Sequence, residues 1–154
     1  KDLALQAISS GNVYVAQVAM GANPQQTLLA MREAEEYNGP SLILAYSHCI
    51  AHGDDLKDGL RHQKLATMSG YWPLIRYNPA LRAAGKRPFV LDSLAPSIPL
   101  REYAYNENRY KVLTKTNPEE AERLMVMAQE TVDRRWATYE HLAKQEPGDF
   151  ERPG

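Results

Sequence analysis

The fold of this chain is decided by an apolar stretch near its start, Val13-Tyr14-Val15-Ala16-Gln17-Val18-Ala19-Met20. Its β-branched and almost wholly apolar composition is typical of a strand buried on both faces, as in a parallel sheet. Asn23 and Pro24 follow as a helix N-cap and the first helical residue, with Gln26 at the position of a capping-box partner. The stretch therefore predicts a buried strand that leads directly into a helix.

The helix and a second apolar run extend this motif. Four apolar side chains recur at helical spacing and give the helix an apolar stripe: Leu28, Leu29, Met31 and Ala34. Asn38-Gly39 predicts a left-handed C-cap, and Pro40 blocks further helix. Ser41 to Tyr46 is then predicted to be a second buried strand. Strand, helix and strand together predict a right-handed, parallel βαβ unit.

The rest of the chain predicts helices around a few further short strands. Asp2 can cap a short opening helix, and Asn117-Pro118 begins a long helix that we expect to reach about Gln145. Further helices are expected over 54–69 and 100–106, strands over 74–77 and 88–92, and irregular chain over 93–99. The long helix has one apolar side, formed by Leu124, Ala128, Val132, Tyr139 and Leu142. We therefore expect an α/β fold, a parallel sheet with flanking helices, ending in a long helix.

Length and composition exclude several classes of protein. The 154 residues are one domain's worth, and 44% are hydrophobic, which is enough for a core. A net charge of −1 gives no reason to expect a nucleic acid or an anionic membrane as partner. No apolar run approaches a membrane span. One cysteine suits a reducing compartment, so we expect a cytoplasmic protein. Because the chain opens on Lys1 in helical sequence, we expect a piece of a longer polypeptide.

The single cysteine, Cys49, lies just past the predicted second strand, at the edge of a parallel sheet where ligands bind. Three interpretations are open. It is a small buried hydrophobe, as free cysteines often are. It is a nucleophile paired with His48 or His52, although no acidic residue in the loop orients either histidine. Or it is a metal ligand, in which case an iron–sulfur cluster would need further thiolates from outside this chain.

The second half of the chain is rich in aromatic residues. They are Tyr71, Trp72, Tyr77, Tyr103, Tyr105 and Tyr110. No basic cluster accompanies them, so they predict packing or a subunit interface rather than base stacking. For Arg76, between Ile75 and Tyr77, we expect an ion pair at the surface or at an interface.

A family resemblance runs in order along nearly the whole chain. The residues that carry it are 14–16, 20–27, 33–35, 39–43, Cys49-Ile50-Ala51-His52-Gly53, Ser69-Gly70-Tyr71-Trp72-Pro73-Leu74, 76–79, 88–93 and Asn106-Glu107-Asn108-Arg109-Tyr110. In these segments the chain resembles the C-terminal end of pyruvate:ferredoxin (flavodoxin) oxidoreductase. The resemblance implies that residues 1–146 are the C-terminal part of a thiamine-diphosphate-binding domain and that residues 147–154 are a tail.

The resemblance also implies a function. The family decarboxylates pyruvate oxidatively to acetyl-CoA with thiamine diphosphate, Mg²⁺ and coenzyme A, and passes electrons through [4Fe-4S] clusters to ferredoxin or flavodoxin. The cysteine of its Cys-Ile-x-His-Gly motif is the fourth ligand of the cluster nearest the thiamine, which carries over onto Cys49. The other cluster cysteines and the diphosphate-binding residues precede Lys1, so no catalytic or thiamine-binding residue is expected in this chain.

The resemblance leads to expectations about partners, and two other functions compete with it. The resemblance implies contact with upstream domains of the same polypeptide, a homodimer, and no activity for this piece alone. It makes His52 a candidate neighbour of the cluster. The main alternative is a non-catalytic α/β interaction or dimerisation domain in which Cys49 is buried and inert. A cysteine-nucleophile enzyme is the third possibility.

Overall fold

A computed structural model describes residues 2–49 and 56–147 of the chain and confirms the α/β class. A four-stranded sheet is flanked by helices, and a long helix ends the described chain. The elements are α1 Leu3–Ser9, β1 Tyr14–Val18, α2 Pro24–Glu36, β2 Ser41–Ala45, a 3₁₀ turn Leu56–Asp58, α3 Gly59–Met68, β3 Ile75–Tyr77, α4 Ala80–Ala83, β4 Phe89–Leu91, α5 Leu100–Ala104, α6 Asn108–Thr116 and α7 Pro118–Lys144.

The sheet has the strand order β2-β1-β3-β4 and is mixed. β1 and β2 are parallel, with Tyr14 opposite Ser41, so the predicted parallel pairing is confirmed. β1 and β3 are antiparallel, and so are β3 and β4. The sheet is therefore not parallel throughout, because β3 adds to the free edge of β1 in the opposite direction and β4 pairs antiparallel with β3.

The two strands of the parallel pair differ in burial. All five residues of β1 are buried, as predicted. In β2, Ser41 and Ala45 are exposed and the three residues between them are half-buried. The prediction of a second buried strand is wrong, because β2 lies at the edge of the sheet and no described strand covers its outer side.

The start of α2 is as predicted and its end is not. The Asn23 side chain accepts a hydrogen bond from the backbone N–H of Gln26 at 2.9 Å, and Pro24 begins the helix. The Gln26 side chain does not close a capping box, because its amide donates to Asp92 at 3.0 Å. The helix ends in an extended Tyr37. Gly39 has no positive φ, so the predicted left-handed C-cap is wrong.

Three of the four side chains in the predicted apolar stripe of α2 are exposed, and the fourth, Ala34, is half-buried and packs towards the sheet. Leu28 is 63% exposed, and Met31 and Leu29 are also exposed. The buried residues of α2 are Gln26, Thr27 and Ala30. The residues of α2 that face the sheet thus have small or hydrogen-bonded side chains. The larger apolar side chains of this helix lie on the surface of the chain.

The remaining helices agree with the sequence-based predictions except in details. α1 begins at the Asp2 cap, which accepts from the Leu5 N–H, and the Asn117 side chain caps α7 by accepting from the Glu120 N–H. α4 and α6 were not predicted. On α7, Val132 and Tyr139 are buried as expected. Leu124 is 40% exposed, and the other buried positions of α7 are Ala121, Met125 and Trp136.

Three apolar clusters hold these layers together. Val15 of β1 packs with Phe89 and Tyr139 in a cluster that joins α1, the sheet and α7. Tyr14, Ala16 and Val18 pack with Ala30 of α2. A third cluster joins α3, α5 and α7 through Ala66, Leu100, Tyr103, Ala104, Met125 and Val132. None of the described helices is both long and apolar enough to cross a membrane.

Candidate functional site

Cys49 is exposed on the segment that follows β2. The interpretation of Cys49 as a small buried hydrophobe, and with it the buried inert cysteine of the interaction-domain alternative, is therefore wrong for this structure. Because β2 is an edge strand, its C-terminal extension leaves the sheet at the surface. Cys49 lies on the wall of a cavity of about 330 Å³, lined also by Ala45, Tyr46, Ser47, His48, Tyr71, Trp72, Tyr103, Glu107 and Arg109.

The residue before Cys49 is seated against the start of α3. The His48 ring lies so close to Gly59 that a Cβ added there would come within 2.1 Å of His48 Nε2. His48 Nδ1 lies 3.5 Å from Gln63 Nε2. Gln63 is oriented because its Oε1 accepts a hydrogen bond of 2.7 Å from the Gly21 N–H. The Gln63 amide therefore donates to Nδ1, and this contact favours the tautomer of His48 with its proton on Nε2.

Tyr46 anchors the other end of the same segment. Its hydroxyl lies 2.7 Å from the Tyr103 hydroxyl, and its ring meets Trp72 edge-on at 5.5 Å between ring centroids. Trp72 is held in turn by a hydrogen bond of 3.0 Å from its indole Nε1 to the Val18 carbonyl. The approach to Cys49 is thus fixed to the central strand and to α5.

A buried carboxylate, Glu107, lies behind Tyr103. It is 2% exposed, and its Oε1 accepts from Tyr103 at 2.9 Å and lies 3.0 Å from His62 Nε2. Its Oε2 accepts from Arg109 Nε. Burial raises the pKa of Glu107, but the hydrogen bonds from His62, Tyr103 and Arg109 outweigh it, so that the pKa lies below its usual value of 4.5. Glu107 is therefore an anion at neutral pH.

Two aromatic contacts consolidate this network. The Tyr103 ring stacks on His62 at 4.7 Å and on Tyr71 at 4.6 Å between centroids. Burial is the main cause that raises the pKa of Tyr103, and the hydrogen bond with Tyr46 adds to it. Tyr103 therefore remains a neutral hydroxyl that links Tyr46 to the anion of Glu107.

Arg109 brings a positive charge to the cavity wall. Its side chain is 39% exposed, and the guanidinium lies 4.7 Å above the centroid of the Tyr110 ring. Burial lowers the pKa of Arg109, but the hydrogen bond to Glu107 and nearby tyrosine and carboxylate groups more than offset this, so the pKa is raised. The cavity thus has a cation on one wall and a cysteine on another.

Other residues singled out from the sequence have mixed outcomes. His52 lies outside the described residues, so its pairing with Cys49 stays a prediction. Among residues 2–49 and 56–147, no group of three or more His, Cys, Asp or Glu side chains is placed to hold a metal ion. The aromatic residues pack as predicted: Tyr77 and Tyr103 are buried, and Tyr71, Trp72, Tyr105 and Tyr110 pack around the third cluster. The predicted ion pairing of Arg76 is confirmed, with Asp92 and Glu33 as partners, but the pairs are not surface ones, because the Arg76 side chain is only 14% exposed.

Sequence reasoning missed the polar side of the cavity. His62 lies within α3, Glu107 is the N-cap residue of α6, and Arg109 lies in the first turn of α6. Neither periodicity nor spacing relates these residues to Cys49. The usable signal was composition. Glu107 and Arg109 stand between tyrosines in a stretch, Tyr103 to Tyr110, that is otherwise dominated by packing residues.

Comparison with known proteins gives a consistent result. No family model matches the chain. A pyruvate-flavodoxin oxidoreductase of Trichormus variabilis is 55% identical over 146 residues, and a pyruvate:ferredoxin oxidoreductase of Moorella thermoacetica is 48% identical over 144 residues. A probable pyruvate-flavodoxin oxidoreductase of Escherichia coli is 42% identical over 144 residues.

These matches cover 94–95% of this chain and 12% of each relative. The chain thus spans about an eighth of the length of the curated relatives it matches. Over nearly all of its own length, it is similar to one segment of proteins named pyruvate-flavodoxin or pyruvate:ferredoxin oxidoreductase.

Proposed function

We propose that this chain is the C-terminal part of the thiamine-diphosphate-binding domain of a pyruvate:ferredoxin (flavodoxin) oxidoreductase, and that Cys49 ligates one of its [4Fe-4S] clusters. The observation that carries the proposal is the identity of 42–55% over nearly the whole chain to proteins with that name. The complete enzyme would decarboxylate pyruvate oxidatively to acetyl-CoA. This segment would supply one ligand to the electron path and would have no activity alone.

The chemistry of Cys49 fits a cluster ligand. An iron–sulfur cluster is held by cysteine thiolates and accepts one electron at a time. Cys49 is exposed beside a cavity, so a group supplied by another part of the polypeptide can approach this residue. One thiolate cannot hold a cluster of this kind, so the remaining cysteine ligands would be contributed by upstream residues.

The segment before Cys49 supports this role physically. Tyr46 is tied to Tyr103, and His48 is seated against Gly59. A cluster ligand that joins two domains loses less conformational entropy on assembly when it is already held in position. The two anchors restrict the chain on the approach to Cys49 before any cluster is bound.

The other cofactors and partners belong to the same proposal. Thiamine diphosphate and Mg²⁺ would be bound by upstream residues, with coenzyme A as co-substrate and ferredoxin or flavodoxin as electron acceptor in the cytoplasm. Contact with upstream domains or with a second subunit is supported by apolar side chains that are exposed on α2, shortly before it, and near the start of α3. These are Met20, Leu28, Leu29 and Met31, with Leu56 and Leu60 at the start of α3. A soluble domain buries such residues when they belong to an interface.

The decisive experiment is Cys49→Ser in the complete enzyme, purified without oxygen. We expect loss of about four iron atoms and four sulfides per chain, which is one [4Fe-4S] cluster, and loss of pyruvate-dependent acceptor reduction. Ser47→Ala is the matched control, since Ser47 lies on the same cavity wall and has no thiol. The proposal fails if Cys49→Ser retains both the full iron content and electron transfer from pyruvate.

An interaction or dimerisation domain without catalysis is the second candidate, and the exposed apolar side of α2 favours it. It predicts that the natural polypeptide binds no iron and that alkylation of Cys49 leaves its assembly unchanged. The nucleophile hypothesis instead predicts rapid alkylation of Cys49 by a small electrophile at neutral pH. Iron analysis and an alkylation time course on the same preparation separate all three functions.

A further inference from the structure

The cavity at Cys49 has an incompletely paired cation on its wall. Arg109 donates from Nε to Glu107 and stacks over Tyr110. Its Nη1 and Nη2 groups make no hydrogen bond to any other described residue. The guanidinium is therefore held at one side and retains four N–H donors for whatever enters the cavity.

We propose that Arg109 tunes the reduction potential of the cluster bound by Cys49, and that Glu107, with His62 and Tyr103, holds Arg109 at the cavity. This inference rests on the proposed function. Reduction of a cluster adds one electron and so one negative charge, without any proton in the step. A fixed cation nearby stabilises the reduced form more than the oxidised form and raises the potential.

The size of the cavity sets how strongly the charge of Arg109 can affect the reduction potential of the cluster. A compact space of 330 Å³ is about 9 Å across, no more than the Debye length of about 8–10 Å at physiological salt. At that separation and an effective dielectric constant of 20–40, a unit charge changes an electrostatic energy by roughly 1–2 kcal/mol, before screening. Before screening this corresponds to roughly a five- to thirtyfold change in the ratio of reduced to oxidised cluster, and partial screening by salt reduces it to about three- to tenfold.

The hydrogen bonds of Glu107 fix the position of the Arg109 guanidinium. Glu107 is buried, and it shares its carboxylate among three donors, of which Arg109 takes only Oε2. His62 and Tyr103 occupy Oε1 and therefore fix the carboxylate plane. Loss of Arg109 would leave the Glu107 anion without its nearest cation, and this shifts the potential in the same direction as loss of the positive charge itself.

The test is an anaerobic redox titration of the complete enzyme, followed by EPR of the cluster signal that Cys49→Ser abolishes. We expect Arg109→Gln to lower the midpoint potential, so that reduced cluster is three- to tenfold less abundant at a fixed potential. Arg109→Lys retains the charge and should stay within twofold of the wild type. Arg101→Gln is the control, because it makes the same charge change at an exposed arginine paired with Glu122 and absent from the cavity wall.

Failure of the inference and failure of the proposed function give different results. A wild-type enzyme without the cluster, or a Cys49→Ser enzyme that retains it, overturns the proposed function. An intact cluster whose potential is the same in Arg109→Gln and in Arg101→Gln overturns the inference. So does a lysine variant that shifts as far as the glutamine variant. If Arg109→Gln does not fold, a potential of Arg109→Lys outside the twofold range contradicts the proposal.

Discussion

Two arginine–carboxylate networks in this chain have the same chemistry and a different construction. Arg76, on the sheet, gives Nε and Nη2 to Asp92 at 2.8 and 2.9 Å and Nη1 to Glu33, and its side chain is 14% exposed. Arg109, at the Cys49 cavity, gives one nitrogen to Glu107, and its side chain is 39% exposed. The first guanidinium donates from all three of its nitrogens to carboxylates of this chain, and the second donates from one.

The difference separates an arginine that fastens the fold from one that is available to a ligand. The Arg76 network ties β3 to α2 and to the residue after β4, and Gln26 and Tyr14 complete it by donating to Asp92 and Glu33. All three nitrogens of Arg76 donate to carboxylates of the fold and its side chain is only 14% exposed, so this guanidinium presents little surface to a ligand. Around Arg109 the carboxylate is saturated and the cation is not, which leaves hydrogen-bonding capacity on the cavity wall.

Replacing Arg76 by methionine should have the largest effect on stability. The change removes the cation and leaves Glu33 and Asp92 as two partly buried anions, at an expected cost of about 3 kcal/mol in the free energy of unfolding. Urea unfolding followed by fluorescence of the two tryptophans measures it. Arg87→Met is the matched control, since the pair of Arg87 with Glu146 is exposed, and it should cost less than about 1 kcal/mol. An equal loss of unfolding free energy in both variants would contradict the interpretation that the ion pairs of Arg76 are partly desolvated and stabilise the fold.

Glu107→Gln should have an intermediate effect that depends on pH. The folded pKa of Glu107 is lowered, so below about pH 4.5 the unfolded chain binds a proton that the folded chain does not. The stabilisation is therefore complete above about pH 4.5 and is lost as the pH falls through the lower folded value. At neutral pH the variant should be less stable by about 2 kcal/mol, which is the usual size of a hydrogen bond to a charged group.

The measurement for Glu107 is urea unfolding at a series of pH values. The difference between wild type and Glu107→Gln should shrink as the solution is made acidic. A difference that stays constant from neutral to acidic pH would show that the carboxylate charge is not what holds the network. Comparison with Glu33→Gln, which alters the closed network, tests whether the two sites respond differently.

Tyr46→Phe should have the smallest effect of the three. It removes one hydroxyl that contacts Tyr103 and leaves the edge-on packing against Trp72 in place, so the expected cost is about 1 kcal/mol. Tyr37→Phe is the control, because its hydroxyl donates to the Asn12 carbonyl in an exposed setting. If Tyr46→Phe costs no more than the control, the hydrogen bond between the two tyrosines does not anchor the Cys49 segment.

Local sequence rules predicted the parts of the fold that depend on neighbours in the chain. Asn23-Pro24 and Asn117-Pro118 each begin a helix, because a cap and a first-turn proline act within four residues. The C-cap at Gly39 failed because the chain leaves α2 in an extended conformation at Tyr37, whose hydroxyl bonds to the distant Asn12. The apolar stripe of α2 shows that periodicity identifies a face but not what covers it.

The candidate site was predicted in part. Cys49 and its place after a strand of a parallel pair could be located from the sequence, since strand, helix and strand order is a local pattern. That Cys49 is exposed could not, because its burial depends on β2 being an edge strand. The other wall of the cavity comes from residues more than 20 positions away along the chain.

The sequence by itself determined the α/β class, the parallel pairing of β1 with β2, the helix starts and the segment that presents Cys49. Each follows from propensity, capping or periodicity over a few neighbouring residues. Only the tertiary structure decided the antiparallel half of the sheet, the outward face of α2 and the meeting of Glu107, His62 and Arg109 beside Cys49. These depend on which elements pack together, and a buried charge is placed by partners that are distant in sequence and close in space.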